Sequence, residues 1–530
     1  MKKIILLLVV SVAANAQVLV KDINPLAPDS GVTQITNIGD IVYFYADDSV
    51  HGFELWKSDG TDSGTVMVKD INPSGDAAVF GLMAFGNTLY FRATDGTNGV
   101  ELWKSDGSES GTVMVKDLNP GTEGSFPVSF TPMNGVLYFQ AITANEGREL
   151  WKTDGTSLGT VMISDINGGI NDGNPANFTV VGSTLFFTAY NNSGGELWKT
   201  DGSTVGTVMV KDIRPGSANS QAFNLIEFNG SLYFSANDGT NGYEFWKSDG
   251  TTTGTILFKD INPGAGSSYP SQSIKHNSSL YFTADNGING VELWKSDGTA
   301  SGTILIKDIN LGTETSDIGN LAEIGTSVYF HATNGTSGKE LWTTDGTDAG
   351  TSLIKDINPG LGNAIAYPKS FTDVNGVLYF VADNGSNGFE LWTSNGTTAG
   401  TTMVMDIFSG ATGAVPSFLV NANGTLYFSA ADGIYGRELW KLAPNLSTSH
   451  FDGSQTAIYP NPASDYVTIE SAVDFDSLII YDQSGRQIRI ENFSPEKNHS
   501  ITNLKFQKGI YLINTYNRKQ LTSSKKIVIE

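Results

Sequence analysis

All nine tryptophans of the chain fall in one recurring phrase, Glu-Leu/Phe-Trp, at Trp56, Trp103, Trp151, Trp198, Trp246, Trp294, Trp342, Trp392 and Trp440, 47 to 50 residues apart. Even spacing of so large a side chain marks a tandem repeat. A unit of this length is too small to bury its own apolar face, so the units must pack on one another around a continuous core. Most of the 530 residues belong to this array, which counts as one cooperative body and not as several ordinary domains.

One unit, residues 79–119, reads as four extended runs: Phe80 to Phe85, Thr88 to Ala93, Val100 to Ser105 and Thr112 to Leu118. Gly86-Asn87 joins the first two, as Asn134-Gly135, Asn229-Gly230 and Asn375-Gly376 do elsewhere. Asn and Gly accept the positive φ of a two-residue hairpin, so these runs are antiparallel neighbours. Asp-Gly segments make the next two turns, and a linker such as Asn119-Pro120-Gly121 ends the pairing, because proline cannot donate to a ladder. No long 3.6-residue period suggests a helix. The sequence predicts an all-β chain, a β-propeller of four-stranded blades.

The two ends of the array complement each other. Val18-Leu19-Val20-Lys21-Asp22-Ile23 is a fourth strand alone, and the array stops at Gly436-Arg437-Glu438-Leu439-Trp440-Lys441, a third strand with no fourth after it. A last blade built from both ends closes a nine-bladed ring and removes two exposed sheet edges. Nine is above the usual range of about 4 to 8 blades. An open solenoid or two smaller rings would use the same repeats, but neither accounts for the complementary half-blades.

Residues 1–16 have the plan of a secretory signal: Lys2 and Lys3, an apolar run from Ile4 through Val12, then the small-x-small site Ala14-Asn15-Ala16, with cleavage expected between Ala16 and Gln17. That run is shorter than the roughly 20 residues of a membrane span, and no later stretch qualifies, so no transmembrane segment is expected after signal removal. The absence of cysteine excludes disulfides, thiol nucleophiles and thiolate metal sites. His51, His276, His331, His450 and His499 occupy unrelated repeat positions without ligand spacing and read as surface or turn residues. The formal charge is −23, and −25 without Lys2 and Lys3; residues 451–530 hold nine acidic and nine basic residues, so the excess lies in the repeats. Such a surface repels nucleic acid and anionic lipid and favours cations, basic partners or simple solubility.

Internal repetition shows what each blade needs. A Glu precedes the Leu/Phe-Trp pair nine times, from Glu54 and Glu101 to Glu438, and Lys-Asp-Ile/Leu occupies the facing strand in seven units, with Ser164 and Met405 as exceptions. If Lys57 pairs with Val66, Glu54 falls opposite Lys69, and a cross-strand ion pair of about 0.2–1 kcal/mol is expected. Each Trp is expected to fill the gap between blades, where its large area can be buried; an aromatic glycan platform is the sharper alternative. The loops before each Glu carry Asp or Asn before Gly, and Asp95, Asp238 and Asp432 are candidate calcium ligands, although a complete calcium loop is missing. Blade linkers and these loops should share one face, where variable segments on a rigid scaffold suit recognition. No Ser-His-Asp set, phosphate loop or histidine cluster points to catalysis.

After a short linker, residues 446–457, a different module of 458–530 opens with Tyr459-Pro460-Asn461-Pro462. Its short strands, Tyr466 to Glu470, Ser477 to Asp482, Lys508 to Ile513 and Lys525 to Ile529, suit a small β-sandwich. Tyr459, Pro460, Asn461 and Pro462, Ile480-Tyr481-Asp482 with Gly485 and Arg486, and Gly509-Ile510-Tyr511-Leu512 closely resemble the type A C-terminal sorting domain of the type IX secretion system of Gram-negative bacteria. The resemblance implies passage through the periplasm, recognition by the secretion machinery, and arrival at the outer-membrane surface or outside the cell, with the tail removed. The array of 17–445, with cores such as Trp103-Lys104-Ser105-Asp106-Gly107, resembles the ELWxxDGT-repeat proteins, with Ser108 and Asn395 departing from the usual Thr and Asp. That family supplies no activity to carry over. The expected function is a non-catalytic binding or adhesion propeller with a glycan or protein ligand on its loop face. The alternatives are a secreted polysaccharide- or peptide-degrading enzyme with an acid pair on the axis-facing strands, or a calcium-stabilised surface protein.

Overall fold

The computed structural model describes residues 17–25, 29–365, 371–442, 456–481, 487–502, 504, 506–517 and 520–529. The signal segment with Ala16, the linker residues 446–455, and Gly485 with its turn lie outside them. Contacts place Leu19–Lys441 in one compact unit and the residues from Leu442 onward in another.

The first unit is nine four-stranded antiparallel sheets, and no helix occurs among the described residues. Eight are consecutive meanders, and the second is typical: Phe80–Phe85, Thr88–Thr94, Val100–Ser105 and Val113–Lys116. The ninth consists of Ser417–Ala422, Thr425–Ala431 and Arg437–Leu442, completed by Gln17–Lys21 from the start of the chain. Innermost strands of successive blades touch all the way round, and Thr33–Ile38 of the first meets Ser417–Ala422 of the ninth. The array is a closed nine-bladed β-propeller whose last blade is shared by both ends.

The core lies between blades. Leu89, Phe91 and Ala93 of the second blade are fully buried against Tyr43, Leu55, Val68 and Ile71 of the first, and Trp103 closes the same cluster. Every tryptophan is at most 8% exposed. Removing about 200 Å² of indole from water at about 25 cal/mol/Å² contributes on the order of 5 kcal/mol per blade. The tryptophans are core and offer no glycan platform.

The expected ion pair does not form. Lys57 does pair with Val66 and Trp56 with Met67, but Leu55 then faces Lys69, because a one-residue bulge leaves Val68 unpaired. Glu54 therefore passes the end of the outer strand and accepts the backbone N–H groups of Ile71 (2.8 Å) and Asn72 (3.1 Å). The same bonds end the outer strand of the second blade at Lys116, two residues before the expected Leu118, since Glu101 takes the N–H groups of Leu118 and Asn119. The lysine reaches the next blade: Lys69 Nζ donates to the Thr112 carbonyl at 2.9 Å, and Lys21 donates to that of Thr65 at 3.0 Å, across the chain ends.

The Asp-Gly-Thr turn is a second latch. Asp59 Oδ1 accepts from Thr61 N and Thr61 Oγ1, and Thr61 Oγ1 accepts from Gly64 N. Gly60, at φ +86°, lies under the Tyr427 hydroxyl of the ninth blade, where a Cβ would come within 2.3 Å, and its carbonyl accepts from Lys441 Nζ at 2.7 Å. Equivalent contacts join Lys57 to Gly107 and Lys104 to Gly155.

The C-terminal unit is the small all-β module expected, and its five strands form one sheet that nearly closes. The run read as Tyr466 to Glu470 and the part Ser477 to Tyr481 of the next belong to one strand, Tyr466–Tyr481, which no Gly or Pro interrupts; Asp482 lies outside the described residues. Its first half pairs with Thr456–Tyr459 and its second with Gly509–Asn517. Asn461 explains the opening motif: its Oδ1 accepts from Val528 N and its Nδ2 donates to the Lys526 carbonyl, pinning the start of the module to its last strand. Pro460 and Pro462 flank it, Tyr459 is exposed, and Tyr511 is buried with its hydroxyl donating to the Gln507 carbonyl.

Candidate ligand-binding rim

Blade linkers and the loops between second and third strands meet on one face. Ala77 N donates to the Phe53 carbonyl and Thr94 N to the Ala77 carbonyl; Ser125 and Ile142 repeat the pattern one blade on. Among the described residues, linkers enter the innermost strand through two left-handed residues three apart: Ala78 and Gly81, Phe126 and Ser129, Asn174 and Asn177, Gln221 and Asn224, Tyr269 and Gln272. Phe and Tyr seldom adopt positive φ. Paired backbone bonds hold them there, as Ser125 N and Phe126 N both donate to the Val100 carbonyl.

While the frame repeats, this rim changes from blade to blade. Three positions at its edge lie on neighbouring strands: Thr33, Tyr45 and Phe53 in the first blade, Phe80, Arg92 and Val100 in the second, Ala176, Thr188 and Gly195 in the fourth, Gly319, His331 and Lys339 in the seventh. Large side chains fill the space by touching. Tyr45 and Phe53 rings are 5.0 Å apart, the Arg92 guanidinium sits 4.5 Å from the Phe80 ring centre, and Arg437 Nη1 donates to Ser417 and Ser429.

Glycine at this edge leaves cavities. One of about 460 Å³ opens at the fourth blade beside Gly195, and one of about 790 Å³ at the seventh beside Gly319. In the second, Lys339 Nζ is 3.3 Å from Asp317 Oδ2, and the His331 ring lies over Gly319, where a Cβ would approach within 2.7 Å. Burial, reinforced by Lys339, lowers the imidazole to about 4, so it is neutral at physiological pH. His331 is therefore a cavity residue, contrary to its sequence reading. His276 is buried as well, 3.1 Å from Glu323 Oε1. Only alignment of the repeats on one another could have marked His331, as the member of a column that varies where its neighbours do not.

The calcium candidates stay in separate loops. Asp95 Oδ1 accepts from Thr97 N and Asn98 N, and its Oδ2 accepts from Asn98 Nδ2; Asp238 does the same with Thr240 and Asn241. Asp432 Oδ1 caps Ile434 N and Tyr435 N. Among the described residues no three Asp, Glu or His side chains gather as a metal cluster. The described carboxylates on the innermost strands are each engaged: Glu227 with Lys275 at 2.7 Å, Glu323 with His276, and Asp373 with Gly376 N.

The nine glutamates have unusual electrostatics. All are fully shielded from solvent, and burial raises Glu54, Glu149, Glu244, Glu292, Glu340, Glu390 and Glu438 to about 7 despite their N–H donors; Glu101 and Glu196 are raised for the same reason. Nine equivalent groups inside the wall act on the fold, not on a substrate.

Among solved structures, puromycin hydrolase is 13% identical with a TM-score of 0.35, over 70% of this chain and 61% of that one, so the chain spans under two thirds of its length. PorZ, a surface component of the type-IX secretion system of Porphyromonas gingivalis, is 13% identical with a TM-score of 0.29 over 94% of this chain and 82% of PorZ. The β-propeller domain of the Trilobed protease from Pyrococcus furiosus is 10% identical with a TM-score of 0.33, over 62% of this chain and 98% of that domain. No curated protein sequence is similar to the chain. No helix among the described residues is long and apolar enough to cross a membrane. Residues 457–530 match the family described as a secretion system C-terminal sorting domain: the propeller is followed by a type IX sorting tail, which marks the chain for export to the cell surface or the extracellular space.

Proposed function

We propose that the chain is an exported, non-catalytic binding protein whose propeller takes a glycan or protein ligand on the linker face. The observation that supports this most is that side chains along this rim change from blade to blade while the Glu-Leu/Phe-Trp frame behind it recurs nine times. A rigid ring with changing side chains at one lip is how a repeat scaffold becomes specific. The engaged innermost carboxylates favour binding over an acid-pair hydrolase. The test is full-length secreted protein on glycan arrays, polysaccharide pull-downs and a peptide library. Saturable binding without product formation is expected; released sugars or peptides would transfer the reading to the enzyme.

A second reading has its own observation. Asp22, Asp70, Asp117, Asp212, Asp260, Asp308 and Asp406 each carry a shielded carboxylate oxygen without a hydrogen-bond partner, and Asp308 Oδ2 accepts from Asn289 of the adjoining loop. A calcium ion, which takes carboxylate, amide and carbonyl oxygens, would satisfy such atoms and stiffen the rim. Thermal unfolding in calcium and in chelator tests it: a midpoint raised by calcium supports the ion, and identical curves reject it.

A further inference from the structure

The cavity at the fourth blade has a chemistry of its own. Eight blades carry a side chain at the rim position before the repeated glutamate, among them Phe53, Val100, Tyr243 and Lys339; the fourth has Gly195. A Cβ there would lie 2.5 Å from the Tyr190 ring, so glycine is what lets that tyrosine rest against the backbone while staying 40% exposed. Ala176 and Thr188 stand where the second blade has Phe80 and Arg92, and the space those larger side chains would fill is the cavity.

Its polar lining is four side-chain amides, Gln140, Asn174, Asn177 and Gln221, with the hydroxyl-bearing Thr188 and Tyr190, and no carboxylate, amine or guanidinium is among the lining residues. Gln140 is the telling one. It is 8% exposed as a residue, and its amide makes no hydrogen bond to a described residue but reaches the open space of the cavity. A ligand in the cavity can therefore donate to its carbonyl oxygen and accept from its NH2. Asn177 Nδ2 donates to Thr188 Oγ1, and Gln221 Oε1 accepts from the Tyr243 hydroxyl, which leaves the Gln221 NH2 available. Aromatic rings continue from the cavity along the rim: Phe223 at its edge is 5.9 Å from Tyr243, and Tyr243 stacks on Tyr269 at 5.0 Å and 23°. Tyr269, 52% exposed, belongs to the next linker.

We propose that this cavity is a binding site for an uncharged saccharide, with a longer chain running on over Tyr243 toward Tyr269. This rests on the binding reading above and gives it a place and a ligand class. Hydroxyl groups both donate and accept, which is what unpaired amides match, and the C–H faces of sugar rings pack on aromatic faces. A phosphate, sulfate or uronate would need a cation, and a basic ligand a carboxylate; neither lines the cavity, and the repeats are strongly acidic. A peptide read by strand addition would need a free sheet edge, whereas the cavity offers side chains.

The experiment is calorimetric titration of the full-length secreted protein with neutral and with acidic oligosaccharides, after an array has chosen them. Gly195→Tyr fills the cavity, Gln140→Leu removes the unpaired amide at constant volume, Tyr269→Ala shortens the aromatic path, and Leu158→Ala on the opposite face is the control. Neutral oligosaccharides are expected to lose affinity about tenfold or more in the first two variants, each titrated well below its own unfolding midpoint, and to keep it in the control. Tyr269→Ala should weaken long oligomers and leave disaccharides unaffected. Saccharide binding that survives Gly195→Tyr and Gln140→Leu overturns the site and leaves the rim reading standing. Binding of acidic glycans alone, or capture of peptides lost in Gly195→Tyr, overturns the ligand class. A protein that binds no glycan and no peptide overturns both.

Discussion

Glu292 shows how one buried carboxylate organises a blade. It accepts from Ile309 N at 3.0 Å, from Asn310 N at 3.4 Å and from the Ser316 hydroxyl, and it is fully shielded. Glu292→Ala leaves Ile309 N and the Ser316 hydroxyl without this acceptor, while Asn310 N keeps Ser316 Oγ at 2.9 Å; at about 1–3 kcal/mol for each buried group, a loss of about 3 kcal/mol is expected from urea unfolding. Glu292→Gln keeps one acceptor oxygen and should lose less than half as much; equal losses would show that burial of the side chain, not its bonds, matters. The structural role of these glutamates was legible from their ninefold recurrence, since catalysis needs one special site. Their partner was not, because a single bulged residue, Val68 in the first blade, shifts the facing lysine by one position. Gly195 was equally hidden: in sequence it is one of sixty glycines, and it becomes informative only when the blades are registered on one another.

At the scale of strands, hairpins were readable because Asn-Gly pairs carry their geometry with them; Asn134 and Gly135 have φ of 52° and 77°. The outer strands came out shorter than read, since side-chain acceptors compete there for backbone donors. The strand that matters most is Gln17–Lys21. Val20 and Ile23 are 6% and 3% exposed in one cluster with Val42, Trp56 and Leu439, and Ile23 N donates to Glu438. A chain whose mature form starts at Asn24 would lose two buried aliphatic side chains at about 1.5–3 kcal/mol each and would expose the edge of Arg437–Leu442. Thermal unfolding should shift down by several degrees, and size-exclusion chromatography should show self-association. Unchanged unfolding of a monodisperse monomer would mean that the ring does not depend on this closure.

For the whole molecule, blade number and closure followed from the repeat count and the two half-blades, whereas the binding face became specific only through the packing of unlike side chains. Export and stability are the properties that belong to this scale. A chain without 458–530 should remain in the periplasm, which cell fractionation would show; its appearance at the surface would sink the sorting role of the tail. Stability should fall as pH rises. Seven of the wall glutamates, Glu54, Glu149, Glu244, Glu292, Glu340, Glu390 and Glu438, have folded values of about 7, above the ordinary 4.5, so between these limits the folded state binds more protons than the unfolded one. Their contribution is fully present below about pH 4.5 and is lost as pH climbs through 7. His331 works the other way: its folded value of about 4 lies below 6.5, so its contribution fades as pH falls between those values, but it is one group against nine. Asp59, Asp95 and Asp238 are lowered from 3.8 and withdraw stability only under more acidic conditions. The unfolding midpoint should therefore be higher at pH 5.5 than at pH 8, and the difference should shrink as successive wall glutamates are changed to glutamine. A midpoint that rises toward pH 8 would mean that the backbone donors hold these carboxylates ionised in the wall, and that their burial has been overvalued against their hydrogen bonds.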